Sequence, residues 1–234
     1  MSEETSIHRL DLGYFVRPAA ETGTGHARAE AALAYLVRHR RGLLLFDTGV
    51  GAGDAGAEAR YRPRRRELIA ALAAAGVAPQ DLDAVVNCHL HFDHIGGNPL
   101  LSELRPGLPV FVQAKELAAA RAGDYTIDTL VDPRGRAVTY EELDGEAEVW
   151  PGVTVVPTPG HTDGHQSLVV EPTAPSGCVT VLAGQAYDFA SDYSHAELAH
   201  RTGAGPAARP WWARLAALDP GRVLFAHDRA IWTP

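Results

Sequence analysis

The sequence predicts a mixed α/β protein whose β-sheets are covered by helices. Three observations carry this expectation. Short runs rich in Val, Leu and Ile alternate with helical stretches through both halves of the chain, which argues against an all-β or all-α architecture. The 234 residues are 46% hydrophobic and 21% charged, which suits one domain over residues 1–234 with a sizeable core. No heptad or short-period repeat interrupts the pattern. Periodicity alone leaves the topology open.

The elements follow in chain order. "AYLVRH" (34–39) and "GLLLFDTG" (42–49) read as strands, the second ending in Asp47 and a turn. "RRELIAALAAAGV" (65–77) reads as a helix, with Leu68, Ile69 and Leu72 on one face and Gly76 as its stop. "LDAVVNC" (82–88) is a buried strand, "PVFVQ" (109–113) another, and "AKELAAARAG" (114–123) a helix. "EVWPGVTVVPTPG" (148–160) reads as two short strands about a Pro-Gly turn. "QSLVVEP" (166–172) and "CVTVLAG" (178–184) are strands, "PWWARLAALDPG" (210–221) a helix and "RVLFAHD" (222–228) a last strand. The segment 190–209 is the least regular and reads as a loop or lid. Trp211 and Trp212 read first as core residues of an amphipathic helix. An exposed pair serving a homodimer contact or a substrate wall is the other reading.

Composition narrows the function. A formal net charge of −8 disfavours nucleic acid as a partner, and the basic runs at 38–41 and 62–66 are short enough to be solvated faces. The acidic opening "MSEETS" and the lack of an 18-residue apolar run predict neither a secretory signal nor a membrane span. Two cysteines make no disulfide framework, so a cytoplasmic protein is expected. Cys88 reads as a small buried strand residue.

Chemistry concentrates in "NCHLHFDHIGGN" (87–98), where His89, His91, Asp93 and His94 fall within six residues. On a rigid strand His89 and His91 would point the same way, and a turn after His91 would aim Asp93 and His94 elsewhere. One segment then serves two neighbouring metal sites, and Gly96 and Gly97 permit the tight turn. Imidazole suits zinc, iron, cobalt or nickel, and a carboxylate adds preference for harder ions. Three further pieces sit at strand ends: "PTPGHTDGHQS" (157–167) with His161 and His165, "LAGQA" (182–186) with Gln185, and "FAHD" (225–228) with His227.

Together, "DTG" (47–49), "HLHFDH" (89–94), "GHTDGH" (160–165), "LAGQ" (182–185) and "AHD" (226–228) resemble the metallo-β-lactamase superfamily. "GLLLFDTGVG", "VVNCHLHFDHIGGN", "VFVQAKELAAA" and "LDPGRVLFAHDRAIW" are most similar to its N-acyl homoserine lactonase branch, whose members are quorum-quenching enzymes. The resemblance implies an αβ/βα four-layer sandwich: two mixed sheets face to face, helices outside, metals at one edge. It implies one ion on His89, His91 and His161 and another on Asp93, His94 and His227. The ions would be zinc, one or two per chain, with iron, cobalt, manganese or nickel as other divalent possibilities. Asp47 and His165 would support the site without binding metal. The sequence departs from the pattern at Gln185, which stands where a bridging aspartate is expected. It departs again at Asp188, which holds the place of a tyrosine; Tyr187 or Tyr193 would then take that role.

The implied reaction opens a lactone ring. Two ions would acidify a shared water, polarise the carbonyl and steady the leaving oxygen. Asp93 would orient the nucleophile or carry its proton, and Tyr187 would donate to the oxyanion. Glutamine in place of the bridging acid raises the formal charge of the centre from about +1 to about +2. Weaker occupancy of the Asp93, His94 and His227 site is therefore expected. Asp188 could replace the bridge only if its loop were rebuilt. Two alternatives stay open: a thioester or other ester hydrolase resembling the glyoxalase II branch, and a non-catalytic metal-binding or sensor protein whose site has degenerated at Gln185.

Overall fold

A computed structural model describes residues 5–234 apart from 124, 136, 175 and 204–208. Two long strands, β1 (Ser6–Arg17) and β2 (Arg28–His39), pair antiparallel and begin the first sheet. β2 shows why two sheets stack. Its Ala32, Ala34 and Leu36 enter one core, while Leu33, Tyr35 and Val37 on the opposite face enter another. A strand buried on both faces needs cover on both sides. β1 is absent from the expected elements because its apolar residues are interleaved with His8, Arg9 and Asp11, and only one face is buried. At its bulge Gly13 takes φ 105°, and a Cβ there would collide with the Arg64 carbonyl.

The remaining strands of this sheet are β3 (Gly42–Phe46), β4 (Arg64–Arg65), β5 (Leu82–Val86), β6 (Pro109–Gln113) and β7 (Thr139–Leu143). The order is β4-β1-β2-β3-β5-β6-β7, with β3, β5, β6 and β7 mutually parallel. The second sheet holds β8 (Ala147–Trp150), β9 (Val153–Pro157), β10 (Gln166–Val170), β11 (Thr180–Leu182) and β12 (Arg222–Leu224), in the order β12-β11-β10-β9-β8. β8 and β9 form the hairpin expected from the Pro-Gly turn, and β12 runs parallel to β11. Val153, Val155, Leu168, Val170 and Leu182 meet the inner face of β2 and β5 between the sheets.

Seven α-helices lie among the described residues: α1 (Ala55–Tyr61), α2 (Leu68–Ala74), α3 (Asn98–Leu104), α4 (Ala114–Arg121), α5 (Asp128–Val131), α6 (Ala190–Thr202) and α7 (Trp212–Ala216). Leu68 and Leu72 of α2 cover the outer face of the first sheet. Tyr193 of α6 and Trp212 and Leu215 of α7 cover that of the second. The result is the four-layer αβ/βα sandwich of two mixed sheets.

Three expectations change. The segment 190–209 is not a loop up to residue 202: α6 occupies it and ends at Gly203, φ 66°. Its face buries only Tyr193, so no apolar stripe marks it. The helix expected over 65–77 starts at Leu68, because Arg64 and Arg65 pair with β1. The helix expected over 210–221 shrinks to α7, ahead of Asp219 at φ 45° and Pro220. Trp211 and Trp212 are both buried, which makes them core residues and leaves no exposed pair for a partner. No helix among the described residues is long and apolar enough to cross a membrane.

Candidate metal centre

Segments that leave β5, β9, β11 and β12 converge at one edge of the sandwich. The histidine cluster does not lie on a rigid strand, as expected; β5 ends at Val86, and the cluster follows in an irregular loop and turn. Alternation still survives across His89, Leu90 and His91, because Leu90 is packed in the apolar layer under α4. The His94 amide then donates to the His91 carbonyl at 3.0 Å, which closes the turn. Gly96 and Gly97 serve close packing rather than an unusual φ. A Cβ on Gly96 would collide with the backbone of Val50 and Gly51, and one on Gly97 would lie 2.9 Å from the Thr48 carbonyl.

Three ring nitrogens meet first. His89 Nε2 is 2.9 Å from His91 Nδ1, which is 3.0 Å from His161 Nε2. Asp93, His94 and His227 form a second group of converging ligand atoms. Asp93 Oδ2 lies 3.4 Å from His94 Nε2 and 3.5 Å from His227 Nε2. Those two nitrogens are buried and make no hydrogen bond, a costly state unless something binds them. Burial holds His89, His91, His161 and His227 below the usual imidazole pKa, His161 at about 3; neighbouring imidazoles add to the effect at His89 and His161. Neutral imidazole is the form that binds metal. His94 moves upward: burial opposes its charge, but Cys88, Asp93 and Asp47 outweigh that. The donor set thus fits divalent metal, with positive charge favoured beside Asp93.

Supporting groups fix the rings. Asp47 Oδ2 accepts from His94 Nδ1 at 3.0 Å, and its Oδ1 accepts from the Cys88 amide at 2.8 Å. His227 Nδ1 donates to the Ala31 carbonyl at 2.8 Å. His165 does not join either trio: its Nδ1 meets Thr158 Oγ1 at 2.8 Å and its Nε2 accepts from the backbone N–H of Gln185 at 3.0 Å. Cys88 is fully buried, as read from the sequence, and its Sγ sits 3.1 Å from His89 Nδ1.

Two residues escaped sequence reasoning. Glu116, fully buried on α4, accepts from the Leu90 amide at 2.8 Å, from Thr162 Oγ1 at 2.7 Å and from the Tyr125 hydroxyl. It ties the two loops that carry the first trio. The only signal was an acid within a helix that otherwise buries Leu117 and Ala120. Tyr125 packs against His91 with centroids 4.7 Å apart and the rings tilted by 35°, and nothing near it in sequence marks it.

The trios floor a cleft of about 340 Å³. His91, Asp93, His161 and Gln185 line its base; Phe15, Tyr61, Phe92 and Tyr125 form an aromatic wall. Tyr187 lies in an adjoining polar hollow with Arg209, whose guanidinium carbon is 5.2 Å from its ring centroid. Tyr193 is buried against Trp212 and Trp232 and lines neither space. Asp188 does not swing towards the metals: it is held by Gln185 and Arg28.

The division into two trios predicts that His227→Ala removes one ion's worth of metal and leaves the other on His89, His91 and His161. Elemental analysis of the purified variant checks this, and equal loss from both sites would show the ligands wrongly divided.

The metallo-beta-lactamase superfamily profile matches residues 27–172. A Bacillus cereus N-acyl homoserine lactonase is 33% identical over 165 residues, 65% of this chain and 63% of its own. The chain thus aligns with less than two thirds of that relative's length. A Bacillus thuringiensis N-acyl homoserine lactonase is 30% identical over 197 residues, 74% of this chain and 75% of its own. The crystal structure of a quorum-quenching N-acyl homoserine lactone hydrolase superposes with a TM-score of 0.75 at 23% identity, covering 98% of this chain and 94% of that one. With its profile, its relatives and its sandwich in agreement, the chain belongs to the metallo-β-lactamase superfamily.

Proposed function

We propose that the chain is a metal-dependent hydrolase of carboxylic esters, and that its substrates are lactones of the N-acyl homoserine type. The observation that carries the reading is the pair of ligand trios at the base of an aromatic-walled cleft. The names of its lactonase relatives support the substrate class. The proposal takes residues 1–234 as one domain working in the cytoplasm, which the two unpaired cysteines suit.

In this reading His89, His91 and His161 hold one divalent ion, zinc in the first instance, and Asp93, His94 and His227 the other. A bound ion supplies Lewis acidity, which polarises a carbonyl and acidifies water. Asp93, at the base of the cleft, receives the proton of the attacking water and returns it to the leaving alkoxide. Water adds across the acyl C–O bond, so one lactone gives one hydroxy acid. Phe15, Tyr61, Phe92 and Tyr125 hold the acyl chain and exclude bulk water. Tyr125 cannot serve the oxyanion, since its proton is committed to Glu116. Tyr187, in the adjoining hollow, makes no hydrogen bond through its hydroxyl among the described residues and is the donor this reading assigns to the oxyanion.

A lactone panel and a thioester panel, each run with zinc-loaded and chelator-treated protein, test the reading. Lactone turnover that vanishes with the metal is expected. Thioester turnover alone would move the substrate class, and metal-loaded protein inert to both would sink the enzyme reading.

A further inference from the structure

Gln185 is the position at which an acid is missing, and the structure surrounds it with charge. Gln185 Nε2 donates to Asp188 Oδ1 at 3.0 Å. Asp188 Oδ2 accepts from an Arg28 NH2 group at 2.9 Å. Arg28 also holds Glu30 Oε1, at 2.9 Å through Nε, and Glu30 Oε2 takes Arg17 at 2.7 Å. Glu30 is 1% exposed, so the chain of alternating charges is anchored in the sheet rather than loose on the surface.

This arrangement settles which way the amide faces. An ionised carboxylate only accepts hydrogen bonds, so the amide atom against Asp188 is nitrogen. Asp188 is paired with the Arg28 guanidinium at 2.9 Å, a partner that favours the carboxylate form. The oxygen, Oε1, is then the atom left for the cleft, and no donor among the described residues reaches it. A free amide would present oxygen or nitrogen by rotation. Nitrogen is useless to a cation, because it has no available lone pair.

We propose that Asp188 is a positioning residue that locks Gln185 with its carbonyl oxygen towards the metals and strengthens that oxygen as a neutral ligand. Hydrogen bonding of the amide N–H to a carboxylate draws electron density towards the carbonyl oxygen. The arrangement repeats the carboxylate–imidazole pairing of Asp47 and His94, with an amide in place of the ring. A negative charge lost from the bridge position thus returns one bond farther out. The proposal rests on the metal reading above and is independent of the substrate.

The test is a double-mutant cycle read by zinc affinity, measured by competition with a chromophoric chelator, and by zinc content. Asp188→Asn in the otherwise unchanged protein is expected to weaken the more weakly held ion by about 10-fold, within the range for groups that support a ligand. In a Gln185→Asp background there is no N–H to hold and no amide to orient. There, the same substitution is expected to cost no more than about 2-fold, a coupling characteristic of direct contact. An equal loss in both backgrounds would reduce Asp188 to a general structural or through-space charge and overturn the proposal, as would no loss in the first. Should Asp188→Asn fold poorly, Arg28→Gln leaves Asp188 in place without its anchor and is expected to show the same dependence on residue 185. Protein that binds no zinc before any substitution overturns the metal reading and this proposal together. Normal zinc coupling with inert lactones overturns the substrate alone.

Discussion

His91→Ala is expected to cost the protein about one ion per chain and to lower turnover more than about 100-fold, the upper end of what loss of a merely supporting group costs. His91 Nδ1 is the middle member of its trio, within 3.0 Å of the ring nitrogens on both sides. Two imidazoles do not hold a tetrahedral ion against water and buffer. The tilted ring contact with Tyr125 is lost as well, so that side chain loses its contact with the base of the cleft. Elemental analysis and turnover on one preparation check the result, with a melting curve to show that the chain remains folded. Full zinc content with full turnover would mean that His91 faces no metal.

Glu116→Ala is expected to produce the largest loss of stability. Three donors converge on this carboxylate: the Leu90 amide, the Thr162 hydroxyl and the Tyr125 hydroxyl. Each unsatisfied buried donor costs about 1–3 kcal/mol. The two hydroxyls can turn to other acceptors, so the sum is about 2–4 kcal/mol. For a chain of this size that lowers Tm by about 10 °C. Zinc affinity should fall too, because the loops of His91 and His161 lose their common tether. The ends of this test are clear: an unchanged Tm and unchanged zinc affinity would show that the loops are held by something else. Glu116→Gln keeps acceptor oxygen and is expected to lose less.

Legibility from the sequence followed physical locality. The crowding of four candidate ligands was readable because metal chemistry demands particular side chains and "HLHFDH" gathers them, whereas the division into trios with His161 and His227 came from the family resemblance. The central strands were readable because β2, β3, β5 and β10 are buried on both faces and so spell continuous apolar runs. β1 and α6 were not, because each buries one narrow face and carries polar residues elsewhere. Glu116 and Tyr125 were invisible for another reason. Their importance lies in partners distant in sequence, 26 and 34 residues from Leu90 and His91, or 46 residues away at Thr162. Asp188 could be seen as a departure, but whether it reaches inward or holds Gln185 depends on Arg28, 160 residues away.

His227 belongs to a seam between the two sheets. Its Nδ1 donates to Ala31, the Ala226 carbonyl accepts from Leu33, and the Phe225 carbonyl accepts from Tyr35, so this stretch after β12 is stitched to β2 across the core. His89 and His91 lie in the loop just beyond β5 of the first sheet, and their third partner, His161, follows β9 of the second. Each trio therefore joins side chains that follow β5 in the first sheet to one that follows a strand of the second, and both depend on how far apart the sheets sit. The thickness of the layer built by Leu33, Val86, Leu182 and Leu224 becomes a gauge for how closely the ligand atoms of each trio converge. Shaving a methyl group from that layer would alter the gauge while leaving every ligand in the sequence intact.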